Sequence, residues 1–215
     1  MTTTDNREVA MKADILFLAI KPQFYKEVID QVKDLMNEEK VIVTIAPGWT
    51  LERLAAAFGK ELQIVRTMPN TPALVGEGNT VVTPGCFVKE ENLQIVMEIL
   101  SCFGKATVIP EYLQNASVAV SGSSPAYVFM MIEAMADAAV MDGMPRAQAY
   151  TFAAQAVMGS AKMVLETGKH PGELKDMVCS PAGTTIQAVR VLEEKGFRSS
   201  IMEAMQACSR KANGV

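Results

Sequence analysis

Four turns hold the residues of this chain best placed to do chemistry. Ala19-Ile20-Lys21-Pro22, Ile45-Ala46-Pro47-Gly48 and Thr67-Met68-Pro69-Asn70-Thr71-Pro72 each follow a short apolar run, and each carries a proline or glycine that fixes the backbone. If those runs are strands of an open α/β sheet, the turns lie at strand carboxyl ends, where main chain and a few side chains line a ligand crevice. The fourth turn closes the stretch HPGELKDMVCSPAGTT, residues 170 to 185. There Ser180 or Thr184 can cap a following helix, and Gly183 lets main chain approach a ligand closely. Consecutive amides at such a helix start, reinforced by the helix dipole, suit an anion such as a carboxylate. On spacing alone, Lys21 reads sooner as a solvated lysine, 68–72 as a rigid loop, and 180–185 as a plain joint between helices.

Other chemistries are thinly supplied. His170 is the single histidine, which excludes multi-histidine metal sites and leaves one candidate imidazole for a nucleophilic triad. Cys86, Cys102, Cys179 and Cys208 are far apart and form no CxxC pair, the pattern of free thiols in a reducing cytoplasm, and no metal site is expected. A formal charge of −4 gives no basic field for nucleic acid. No unbroken apolar run of about 18 residues is evident, so no membrane span is expected. A small molecule is the expected ligand.

Apolar runs at 14–20, 41–46, 63–67, 80–82 and 106–109 read as strands, separated by helical patterns over 23–36, 51–58 and 90–103. Phe24, Val28, Val32 and Met36 recur at a spacing of four, one stripe of an amphipathic helix, and Thr50 is a plausible N-cap. Such alternation predicts a doubly wound sheet with helices on both faces. From Glu111 onward the pattern is helical, over 125–142, 145–167, 171–179, 184–194 and 198–211. The first of these helices carries only Glu133, Asp137 and Asp142 as charges, which predicts burial nearly all round. A half-chain of about 100 residues makes a thin core, so a second subunit is expected to supply the cover.

Six blocks in order, DILFLAIKPQ, VTIAPG, RTMPNTPALVGEG, SGSSPAYVFMMIEAMADAAVMDGMPR, AQAVMGSAKMV and HPGELKDMVCSPAGTTIQAVRVLE, resemble the pyrroline-5-carboxylate reductase family. The resemblance implies α/β plus all-α: a partial Rossmann-like, doubly wound domain over 1–109 and a helical dimerisation and substrate domain over 110–215. It implies reduction of the C=N bond of 1-pyrroline-5-carboxylate to proline with NADPH or NADH, in the cytoplasm, by a homodimer or a larger ring of dimers. Ala19, Ile20, Lys21, Pro22, Ala46 and Pro47 would lie along the cofactor's path, with Met68 and Asn70 near it. Ser180, Gly183, Thr184 and Thr185 would hold the substrate, Thr185 bonding the ring nitrogen or orienting a water. Glu111 and Ser121 to Ser124 are further substrate-side candidates, and Glu111 reads equally as a carboxylate at a helix N-terminus.

The chain also departs from the family. Members begin with a strand and a G-x-G-x-x-G/A turn, whereas this chain opens MTTTDNREVAMKADILFLAI, which resembles the segment before the family's third strand. On that reading the first βαβ unit is absent, and the strands near 15–20 and 41–46 should expose edges and apolar faces. The residue that would separate NADPH from NADH falls in the same missing stretch. Ala182 stands where glycine is common and is expected to take an ordinary φ. Two readings follow: a reductase, or a non-catalytic form that serves as an oligomerisation module.

Overall fold

A computed structural model describes residues 2–213. Five strands form one sheet in sequential order: β1 (Ile15–Leu18), β2 (Val41–Thr44), β3 (Gln63–Met68), β4 (Gly78–Pro84) and β5 (Gly104–Val108). The first three are parallel, with Ile15 beside Val41 and Val41 beside Gln63. β4 runs antiparallel to β3, Val65 facing Pro84, and β5 is parallel to β4. The reversal follows from the connection: between β3 and β4 there is only a loop with one 3₁₀ turn, Thr71–Val75. A parallel return needs a crossover of a dozen or more residues.

Four helices cover the sheet: α1 (Asn6–Lys12), α2 (Tyr25–Val32), α3 (Leu51–Phe58) and α4 (Glu90–Ser101). On one face Ala10, Tyr25, Ile29, Leu54 and Phe58 pack with Leu16, Leu18, Ile42 and Ile64. On the other, Val96 and Leu100 pack with Val41, Val43, Val65 and Val82. Alternate strand residues thus feed opposite cores, as a pleat with helices on both faces requires. α1 was not foreseen; Asp5 caps it by accepting from the Arg7 amide at 2.8 Å. β1 is a sheet edge, with Ile15 and Phe17 only half-buried. The expected exposure near 41–46 is corrected: all four β2 residues are buried, because β1 and β3 flank the strand and both faces are packed.

The helical half comprises α5 (Gln114–Ser117), α6 (Ser124–Met141), α7 (Arg146–Thr167), α8 (Pro171–Val178), α9 (Thr184–Glu194) and α10 (Phe197–Ala212). A π-helical turn, Val118–Gly122, joins α5 to α6. The chain divides into two compact units, Met1–Pro125 with Cys208–Val215, and Ala126–Ala207.

Within the single chain α6 is bare, as cover by a second subunit requires: Ala136 is its one buried residue, and Phe129, Met130 and Met141 are 59%, 68% and 81% exposed. The run Glu111–Met141 is also long and apolar enough to cross a membrane by length and composition, with a mean hydropathy of 1.2 and 11% of that window buried. Its few charges are dispersed among alanine, valine and methionine, so no unbroken apolar run marks it in the sequence.

Candidate active site

The turns at the carboxyl ends of β1 and β2 are held together by two aromatic residues that sequence reasoning missed. Tyr25, fully buried at the start of α2, donates its hydroxyl to the Leu18 carbonyl at 2.7 Å and accepts from the Ile45 amide at 3.2 Å. Burial pushes its phenol pKa up, partly offset by the amides of Ile45 and Ala46. Trp49, whose ring centroid lies 5.1 Å from that of Tyr25, donates its indole N–H to the Pro22 carbonyl at 3.1 Å. Arg53 stacks over the indole, 3.9 Å from the centroid. Trp49 is the only tryptophan, and its position directly after Pro47-Gly48 was the available signal. Along the rim, Ala19, Lys21 and Pro47 are exposed, Ile20 and Pro22 half-buried, and Ala46 buried.

Glu111 meets the sheet from the opening of the helical sequence. Its Oε1 accepts from the Arg66 guanidinium at 2.9 Å and from the Leu51 amide, the first of α3, at 2.8 Å. It is a carboxylate at a helix N-terminus, but of a helix sixty residues back in the chain, where it complements the dipole. Arg66 is almost wholly buried, so this ion pair is shielded from solvent on the arginine side. Gln114, fully buried, donates to the Arg66 carbonyl and the Thr83 hydroxyl.

Met68 is buried at the end of β3, and the side-chain amide of Asn70 is engaged within the protein, with Asn79 and Ser121. The hydroxyls of Ser121 and Ser124 donate back to the carbonyls of Ser117 and Val120, and Ser123 Oγ lies 3.1 Å from Cys208 Sγ. In this structure Ser121 and Ser124 serve helix carbonyls and Ser123 a cysteine.

In the second unit, the Gly183 amide donates to the Ser180 carbonyl at 3.0 Å, closing a turn with Pro181 and Ala182 at its centre. Ala182 has φ +59°, which corrects the expectation of an ordinary φ. Proline at the second position and a left-handed third residue make a type II turn, which ordinarily takes glycine there. Gly183 is the N-cap of α9 and no side chain caps that helix, so neither Ser180 nor Thr184 plays the expected part. The first-turn amides of α9 are consequently available to an anion. A Cβ on Gly183 would come within 2.3 Å of Ser180 Oγ, so glycine keeps that hydroxyl in place. Ser180 and Thr184 are exposed, Thr185 half-buried. His170 caps α8, its Nδ1 accepting from the Gly172 amide at 3.0 Å.

Residues 111–215 match the family described as pyrroline-5-carboxylate reductase dimerisation, and residues 1–48 match one described as NADP oxidoreductase, coenzyme F420-dependent. Over 206 residues the chain is 61% identical to pyrroline-5-carboxylate reductase of Escherichia coli strain K12, an alignment spanning 96% of this chain and 77% of that protein. The chain belongs to the pyrroline-5-carboxylate reductase family. The reductase of Methanosarcina acetivorans is 46% identical over 210 residues, 98% of this chain and 78% of its own length. Among solved structures, a pyrroline-5-carboxylate reductase from Coxiella burnetii superposes with a TM-score of 0.92 at 35% identity, covering 99% of this chain and 80% of that one. The Plasmodium falciparum pyrroline carboxylate reductase, solved with NADP bound, gives 0.91 at 32% identity with the same coverage. Membership in a family named for its dimerisation domain accounts for the bare apolar faces of α6 and α7 without a bilayer.

The fit of this reductase-family chain to a nicotinamide dinucleotide is one-sided. The turns 19–22, 46–47 and 68–70 form a rim at the carboxyl ends of β1 to β3. A pyrophosphate needs free amides at a helix start. α3, which follows β2, has its opening amides taken: Leu51 by Glu111, and Arg53 by the Thr50 hydroxyl at 3.1 Å. The 215 residues contain no G-x-G-x-x-G. The rim lies where an open α/β sheet binds its ligand; among the described residues the start of α3 offers no pyrophosphate cradle.

Proposed function

We infer that this chain serves the reduction of 1-pyrroline-5-carboxylate to L-proline, with NADPH or NADH as reductant. Family membership at 61% identity over nearly the whole chain carries the reading. The open start of α9 gives it a physical site. When bound, the dinucleotide supplies a hydride to C5 of the imine; the C=N electron pair passes to nitrogen, which holds a proton. The chain's own share is placement. First-turn amides of Thr184, Thr185 and Ile186 hold the substrate carboxylate, with Ser180 beside them and Gly183 keeping the approach clear. The Thr185 hydroxyl bonds the ring nitrogen or a water next to it, favouring the protonated imine. Ala19, Ile20, Lys21, Pro22, Ala46, Pro47, Met68 and Asn70 form the cofactor rim, and Glu111 steadies the α3 end of that rim through Leu51. Catalysis by orientation of this kind suits a chain with so few free acids and bases at hand.

The domain division at 109/110 is supported by the last strand ending at Val108 and by the dimerisation match beginning at 111. Assembly is through the helical half, as a homodimer or a ring of dimers. A cytoplasmic location accords with four unpaired cysteines. A second reading, an oligomerisation module without turnover, is favoured by one observation, the bare apolar surface of α6. Titration of the purified chain with NADPH, alongside turnover of pyrroline-5-carboxylate, separates the two. The expected result is saturable binding and turnover, with kcat/KM down at least tenfold in a folded Thr185→Ala variant. Neither binding nor turnover in the parent chain would establish the module instead.

A further inference from the structure

The join between α5 and α6 has a backbone defect with a specific repair. In an α-helical ladder the Ser121 carbonyl takes the N–H of residue 125, and residue 125 is proline, which has none. Ser121 is only 7% exposed, so water is a poor substitute, and a buried carbonyl left without a donor is costly. Two features answer this. The ladder widens into the π turn Val118–Gly122, with the Ser123 amide donating to the Val118 carbonyl at 2.8 Å. From across the first unit, Asn70 Nδ2 donates to the Ser121 carbonyl at 3.0 Å. Asn70 Oδ1 meanwhile accepts from the Asn79 amide at 2.8 Å. One side chain therefore ties the loop after β3 to the opening of β4 and to the entry of α6.

The register at this point has a large geometric effect, since one residue more or less in a helix turns every later side chain by about 100°. We propose that Asn70 is a positioning residue, a register lock that holds the π turn at the entry to α6 and with it the aim of the Met68–Asn70 loop. Its side chain acts on the backbone, not on the cofactor. The effect on turnover rests on the reductase reading above; the lock itself does not.

Asn70→Asp keeps the acceptor for Asn79 and removes the donor to Ser121, while Asn70→Ala removes both. Hydrogen exchange of the purified chain, followed by mass spectrometry, is expected to quicken at least tenfold in residues 118–124 of both variants and to stay unchanged in residues 41–46. Adding Pro125→Ala to Asn70→Asp gives the Ser121 carbonyl an N–H one turn on, and should restore most of the lost protection. In turnover, kcat should fall at least tenfold with the KM for NADPH within twofold. Unchanged exchange at 118–124, equal loss of protection in 41–46, or a tenfold rise in the KM for NADPH with kcat retained would each overturn the lock; the last would make Asn70 a cofactor contact. A parent chain without turnover would remove the reductase reading alone, and exchange with its Pro125 rescue would still decide the lock.

Discussion

At Ala182 a methyl group occupies a position whose backbone favours none. φ of +59° in a non-glycine residue costs about 1–2 kcal/mol, and here it is imposed by Pro181 together with the bond from the Gly183 amide to the Ser180 carbonyl. Glycine at 182 would relieve that cost while adding unfolded-state entropy of about 0.4–1 kcal/mol. Ala182→Gly should therefore stabilise the chain by about 1 kcal/mol or less, read as a higher urea midpoint at unchanged slope. Nothing about alanine announces a left-handed residue, which is why the sequence suggests an ordinary one. Ser180, Gly183, Thr184 and Thr185 were legible as a turn leading into a helix, but which residue caps α9 was not. A serine and a threonine on either side of a glycine leave three candidates, and only the backbone course selects Gly183.

Between elements, the joint from β1 to β2 depends on Tyr25. Its hydroxyl serves a carbonyl at the end of one strand and an amide just beyond the other. Tyr25→Phe should lower stability at pH 7 by about 1–3 kcal/mol, the cost of leaving buried polar groups unpaired. The pH dependence has a definite sign. Burial raises the phenol's folded pKa above its unfolded value of about 10, so the contribution is complete below that pH and is lost as pH rises through the folded value. Urea unfolding at pH 7 and above pH 10 should show the gap between parent and variant narrowing. The strands and long helices were legible because periodicity is a local property: α3 over Leu51–Phe58 and α9 over Thr184–Glu194 fall where the pattern put them. The seven residues of α1 are too short for their pattern to stand out, and the direction of β4 is set by what its connection lacks.

For the whole molecule, the decisive feature is apolar surface. Phe129, Met130, Phe152 and Met158 are all more than half exposed in the single chain, far more large apolar surface than a monomer ordinarily leaves in water. Light scattering should give an even multiple of the 23.2 kDa chain mass down to micromolar concentration; a folded monomer there would contradict the dimerisation role of this surface. Sequence by itself determined the order of α/β and helical halves and the family, because these are written in neighbouring residues and their spacing. Only the tertiary structure decided that Glu111 neutralises Arg66 and opens α3, that Tyr25 and Trp49 hold the first two turns together, and that Asn70 serves Ser121. Each of those bonds joins residues distant in the chain, and a hydrogen bond between distant residues leaves no periodic trace in either partner's neighbourhood.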